Sequence, residues 1–244
     1  MAGHSKWSNI KHRKAGQDAK RAKVFTKIIR ELTVAARDGG PNPEDNPSLR
    51  GVVDKAKSAQ MPKDTMDRAI ARGAGGEDGA ELISLTYEGY GPGGVAILVE
   101  TMTDNRNRTV AEVRHVFSRS GGSLGTDGSV SYLFEKKGSI TFDSLEHEDE
   151  IVEIVIENDA EDVDTKEESI EIITSAEIHQ KMKTALLEAG FEPASSEITM
   201  IPKSYNAIDH ETGRKVLACL DLLDDLDDVT SVYCNANFPS EFEF

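Results

Sequence analysis

The feature that most constrains this chain is a change of hydrophobic period at a glycine-rich stretch, residues 73–79. Before it, apolar residues recur at the three- and four-residue spacing of a helix face. After it, they alternate or run continuously, as strands require. The two periods call for different elements in different parts of the chain. The expected class is therefore α+β: an N-terminal three-helix domain followed by two α+β domains.

In the helical part, the spacing predicts a helix over about 17–37. Phe25, Ile28, Ile29, Leu32 and Ala36 fall on one side of it, and Lys20, Lys23, Lys27, Arg30 and Arg37 on the other, before Gly39 and Gly40 stop it. Asn46 and Pro47 read as an N-cap and first-turn proline for a second helix carrying Leu49, Val52, Val53 and Ala56. Pro62 opens a third with Met66, Ala69 and Ile70, which Gly73 closes. Residues 1–20 hold almost no large apolar side chain besides Trp7 and Ile10, and are expected to form an extended or disordered basic arm in the free protein.

Beyond the glycines, 82–87 and 95–100 read as strands, the second apolar on both faces and so central. Thr109 and Glu112 suggest a capping box ahead of a helix carrying Val110, Val113 and Phe117. A further strand is expected at 130–134. Residues 139–201 then give strand, helix, two strands, helix, strand, the ferredoxin-like βαββαβ order. A helix at 214–226 and a strand at 229–235 are expected to rejoin the sheet begun at Leu82, making the ferredoxin-like unit an insertion. The expected domains are 1–79, 80–136 with 206–244, and the inserted 137–205.

Charge gives the functional direction. The chain carries a net −16, but unevenly: residues 1–72 hold 16 Lys and Arg against 8 acids, and the remainder 12 against 36. Within residues 1–37 there are ten Lys and Arg against only Asp18 and Glu31. A solvated helix face normally mixes both signs in i,i+4 pairs. This one hardly does, which points to phosphate contact with counterion release. The acidic remainder repels the same polyanion and orients the basic end toward it.

The candidate nucleic-acid contacts are Lys6, Trp7, Lys11, His12, Arg13, Lys14, Lys20, Arg21, Lys23, Lys27 and Arg30, together with Arg106 and Arg108 at a helix start. Trp7 either stacks on a base or anchors the arm to the bundle. Gly89, Gly91 and Gly94 match a dinucleotide fingerprint, but they precede a strand instead of opening a helix, so they read as a hairpin loop. The carboxylates of 146–168 lack His or Cys at ligand spacing and read as solvated surface. Cys219 and Cys234 read as buried free thiols in a reducing compartment. No P-loop, G-x-S-x-G or Cys–His pair suggests catalysis. The expectation is a cytoplasmic, monomeric, non-enzymatic protein with no cofactor, metal or membrane partner.

Residues 2–14, AGHSKWSNIKHRK, and the continuation QDAKRAKVFTKIIRELTVAAR resemble the YebC/PmpR family. So do TDNRNRTVAEVRHVF at 103–117 and GGSLGTDGSVSYLFEKKG at 121–138. The resemblance implies a three-domain α+β protein with its third domain inserted in the second. It also implies a DNA-binding transcriptional regulator. Through the mitochondrial translational activator of cytochrome oxidase, and a bacterial branch linked to ribosomes stalled on proline-rich stretches, it implies as an alternative a factor bound to ribosomal RNA. A protein–protein adaptor working through the acidic domains is the third reading.

Overall fold

The computed structural model describes residues 18–75, 82–165, 169–239 and 242. In chain order the elements are α1 (Asp18–Gly39), α2 (Pro47–Ser58) and α3 (Lys63–Gly75); β1 (Ile83–Tyr90), β2 (Ala96–Thr103), α4 (Arg106–Arg119) and β3 (Ser123–Leu124); β4 (Phe134–Phe142), α5 (Glu148–Glu157), β5 (Asp162–Thr165), β6 (Ile170–Ser175), α6 (His179–Glu188) and β7 (Ser195–Pro202); then β8 (Asn206–Ala207), α7 (His210–Asp224), β9 (Val229–Cys234) and β10 (Ala236–Asn237). The class is α+β. The elements divide into two compact units: Phe134–Ile201 is one, and the chain on either side of it forms the other.

In the larger unit, α1, α2 and α3 pack around Ile28, Leu32, Ala36, Leu49, Ala56, Met66 and Ala69, the apolar stripes that the spacing predicts. Asn46 caps α2, its Oδ1 accepting from the Leu49 N–H at 3.0 Å. Its Nδ2 donates to the carbonyls of Ala35 (2.8 Å) and Gly40 (2.9 Å), so one side chain closes α1 and opens α2. Gly73 lets α3 approach α1 closely, because a Cβ there would run into the Thr33 carbonyl.

The same unit holds a sheet ordered β3-β1-β2-β9. β9 pairs antiparallel with β2, so the C-terminal strand does rejoin the sheet that β1 begins. The G-x-G-x-x-G stretch is the β1–β2 hairpin loop, with Gly93 and Gly94 at positive φ. Val113, Val116 and Phe117 of α4 and Val216, Leu220 and Leu223 of α7 bury against Val95, Ile97, Val99 and Val232 of the sheet side.

Two local expectations are corrected. The cap of α4 is Asn105, which accepts from the Arg108 N–H at 3.1 Å; Thr109 lies inside the helix with its hydroxyl turned to Thr103 and Asp228. Residues 130–134 do not form a strand of their own. Ser131–Leu133 is a 3₁₀ turn, and β4 starts at Phe134. The reason is Glu88, whose buried carboxylate accepts the N–H groups of Gly128, Val130 and Ser131 at 2.7–2.8 Å, so these donors are not offered to a ladder.

The Phe134–Ile201 unit has sheet order β5-β6-β4-β7, with β4–β6 and β5–β6 antiparallel. With α5 and α6 between the strands, this is the ferredoxin-like arrangement. Its core is Ile140, Ile151, Val155, Ile170, Ile172, Met182 and Leu186.

Candidate nucleic-acid interface

Of the sequence-predicted contacts, Lys6, Trp7, Lys11, His12, Arg13 and Lys14 lie outside the described residues. Lys20 and Arg21 fall in the first turn of α1, whose side chains are also outside them. The remaining five can be placed, and they do not behave alike.

Lys23, Lys27 and Arg30 rise along α1 at successive turns, and all three meet the C-terminal end of α7 and the turn after it. Lys23 Nζ donates to the Asp225 carbonyl at 3.2 Å and lies 3.4 Å from its Oδ1. Lys27 Nζ donates to the Asp224 carbonyl and reaches that residue's Oδ1 at 3.3 Å. Arg30 Nη1 donates to the Asp227 carbonyl at 2.6 Å and to Asp228 Oδ1 at 3.0 Å. The last carbonyls of a helix have no intrahelical donor and form its negative pole, so three cations there complete the backbone hydrogen bonding as well as the charge balance. The expectation of an uncompensated outward stripe is corrected at these positions. The carboxylates of Asp224, Asp225 and Asp228 pair with it, and Lys27 retains only 12% of its side-chain exposure.

Asp228 organises the junction. It is 2% exposed. Its carboxylate accepts from Arg30 of α1, from Arg108 Nη2 (2.8 Å) and Thr109 Oγ1 (2.8 Å) of α4, and from Thr103 Oγ1 (3.0 Å) of β2. Burial pushes its carboxyl up, but the bonds from Arg108, Thr109 and Thr103 outweigh this and hold it below its ordinary value. Arg108 is raised in turn by its hydrogen bonds to Asp228 and then Asp104, and stays charged at any working pH. Its place at a helix start suggests a phosphate contact. The structure gives it a brace between Asp104 and Asp228. No local signal marked Asp228, because its partners lie up to 198 residues away along the chain.

Arg106 behaves differently. It is exposed and, among the described residues, has no ion-pair partner. The same holds for Arg114 and Arg119 farther along α4, where His115 is exposed too. Arg114, His115 and Arg119 are not among the contacts predicted from sequence. With Val113 and Phe117 assigned to the core, helical spacing alone directs them outward.

The loop after β3, which carries Gly125 and Gly128, has a fixed backbone. Glu88 holds its backbone as described above. Burial raises the Glu88 carboxyl, but the N–H donors of Val130, Gly128 and Ser131 bring it below the usual carboxylate range. Tyr90 Oη donates to the Ser129 carbonyl at 3.1 Å and pins the other side of the loop.

A cleft of about 460 Å³ is lined by Glu31, Val34, Asp38, Asn46, Glu100 and Thr230, among others. Its charged groups are carboxylates, with Glu31 paired to Lys55 at 2.7 Å, so it does not suit a polyanion. Cys219 and Cys234 are buried and free, and burial pushes the Cys234 thiol up to about 12. Among the described residues, no cluster of His, Cys, Asp and Glu is placed to hold a metal ion, and no helix is long and apolar enough to cross a membrane.

The chain matches two family descriptions: "TACO1/YebC protein N-terminal domain" over residues 5–76 and "TACO1/YebC second and third domain" over 82–236. A Hahella chejuensis protein named "Probable transcriptional regulatory protein" is 57% identical over 242 residues, covering 99% of this chain and 97% of its own. The "Transcriptional regulatory protein PmpR" of Pseudomonas aeruginosa is 55% identical, covering 99% and 98%. Among solved structures, a conserved hypothetical protein from Aquifex aeolicus superposes with a TM-score of 0.82 at 47% identity, over 92% of this chain and 93% of that one.

Proposed function

The chain belongs to the TACO1/YebC family, and on that premise we propose that it is a DNA-binding transcriptional regulator that acts by binding, without a catalytic step. One observation carries the reading: relatives 55–57% identical across nearly the whole chain are named as transcriptional regulatory proteins. The excess of Lys and Arg over acids in residues 1–37 supports it, since phosphate contacts supply most sequence-independent affinity.

In this reading Lys6, Lys11, His12, Arg13, Lys14, Lys20 and Arg21 grip the backbone, and Trp7 stacks or anchors beside them. Lys23, Lys27 and Arg30 join only where phosphate displaces the aspartates at the end of α7. The acid-rich remainder of the chain repels the same polyanion and so favours approach by the basic end.

The test is crosslinking in cells followed by identification of the bound polymer. Enrichment of promoter DNA is the expected result. Predominant ribosomal RNA refutes the DNA reading and favours a translation factor, which phosphate contact serves equally because it carries no base identity. Neither polymer above background favours the adaptor.

A further inference from the structure

Away from the N-terminal segment the chain is strongly acidic, with only 12 Lys and Arg in residues 73–244. Four of those twelve, Arg106, Arg108, Arg114 and Arg119, sit on α4, with Glu112 as that helix's only acid. Arg108 is consumed by Asp104 and Asp228. The other three are exposed and, among the described residues, have no carboxylate partner. This contrasts with α1, where Lys23, Lys27 and Arg30 are all engaged by the α7 end.

The outward surface of α4 also has a definite shape. Thr109, Val113, Val116 and Phe117 are buried, which fixes one side of the helix on the sheet. On the opposite side Asn107, Ala111, Arg114 and Ser118 follow one another at helical spacing, all exposed, with His115 and Arg119 beside them. The centre line thus alternates side chains able to make paired hydrogen bonds, Asn107 and Arg114, with small residues, Ala111 and Ser118. The helix is held rigid at its start by Asn105, Thr109 and Asp228, and in its second half by the fully buried Phe117.

We propose that this exposed face of α4 is a nucleic-acid-reading surface that enters the major groove of duplex DNA, with Asn107 and Arg114 toward the base edges and His115 and Arg119 toward the flanking phosphates. The inference rests on the DNA-binding reading above and adds the element that does the reading. Fourteen residues of helix are about 21 Å long, enough to follow a groove for roughly six base pairs. The B-form major groove, about 12 Å wide, admits a helix, and small central residues let the backbone come close. The deep, narrow major groove of A-form RNA does not admit one, so the same surface disfavours duplex RNA. Arg and Asn are the side chains that recognise guanine and adenine edges there by bidentate bonds.

The test uses the full chain and three probes: a short DNA duplex, the corresponding single strand, and an RNA duplex of the same sequence. The variants are Arg114→Ala with Arg119→Ala, and separately Ala111→Glu, which puts a carboxylate at the centre of the face. All are exposed positions on a well-anchored helix, and an unchanged thermal unfolding curve verifies that the fold is kept. The expected result is a loss of about tenfold or more on the DNA duplex for each variant, with the salt slope reduced by about 1 in the double variant for the phosphate contact of Arg119. Losses on the single strand and the RNA duplex should be smaller. If the unmodified protein binds the DNA duplex and both variants bind it as well and as salt-dependently, the α4 inference falls while the DNA reading stands. An equal loss on the single strand refutes groove entry. If the unmodified protein does not bind the DNA duplex, the DNA reading itself falls.

Discussion

Replacing Asp228 by Asn removes one charge while keeping shape and volume. In the native protein this carboxylate is 2% exposed and accepts from two guanidinium groups and two hydroxyls. The amide keeps one acceptor oxygen but turns an NH₂ toward donors: at the Oδ1 position it takes the acceptor from Arg30, and at the Oδ2 position from Thr103, Thr109 and the 2.8 Å bond of Arg108. Breaking a dry buried ion pair from one side costs about 3–5 kcal/mol. Here the Arg30 side chain is 26% exposed and Arg108 44%, so water recovers part of that. The expected cost of Asp228→Asn is about 2 kcal/mol. For a urea m value of about 2 kcal/mol/M, the midpoint falls by about 1 M.

The pH dependence has a definite sign. The folded carboxyl lies below its ordinary value of 3.8, so its contribution is present above that value and is lost as pH falls through the lower folded one. The assay is urea unfolding followed by far-ultraviolet circular dichroism at pH 7 and at pH 3. The gap between native and variant should be full at pH 7 and smaller at pH 3. Midpoints equal to within about 0.2 M at pH 7, or a gap unchanged at pH 3, would refute the assignment of Asp228 as the charge-bearing hub.

Asn46→Ala loses the α2 cap and the side-chain bonds to the Ala35 and Gly40 carbonyls, and should lower stability by about 2 kcal/mol in the same urea assay. Phe117→Ala empties a fully buried site against the sheet and should cost about 3–5 kcal/mol, measured likewise. Glu88→Gln trades a buried carboxylate for an amide facing three backbone donors; amide exchange at Gly128, Val130 and Ser131 should accelerate, and unchanged rates would contradict the loop clamp. The triple variant Lys23→Ala, Lys27→Ala, Arg30→Ala should lower the urea midpoint while changing the DNA salt slope by less than about 1; a change near 3 would mean that these side chains leave the α7 end to hold phosphate.

Much of this protein could be read along the chain because the information is local. Ile28, Leu32 and Ala36 recur on one side of α1, Asn46 and Pro47 announce α2, and the unbroken apolar run beginning at Val95 marks a central strand; each depends on neighbours a few residues away, so pattern was sufficient. The ferredoxin-like order of Phe134–Ile201 and the return of β9 to β2 followed from element order and burial. The sequence alone also determined that positive charge concentrates at one end. It could not determine which of those charges are spent inside the protein. That Lys23, Lys27 and Arg30 close onto Asp224, Asp225 and Asp228, that Glu88 gathers the N–H groups of a loop some forty residues on, and that Arg114 and Arg119 keep their charge to the outside, are results of chain reversals that bring distant residues together. Coulombic and hydrogen-bonding interactions decay over a few ångströms of space and take no account of separation along the chain, so only the tertiary structure decided which cations remain available to a partner.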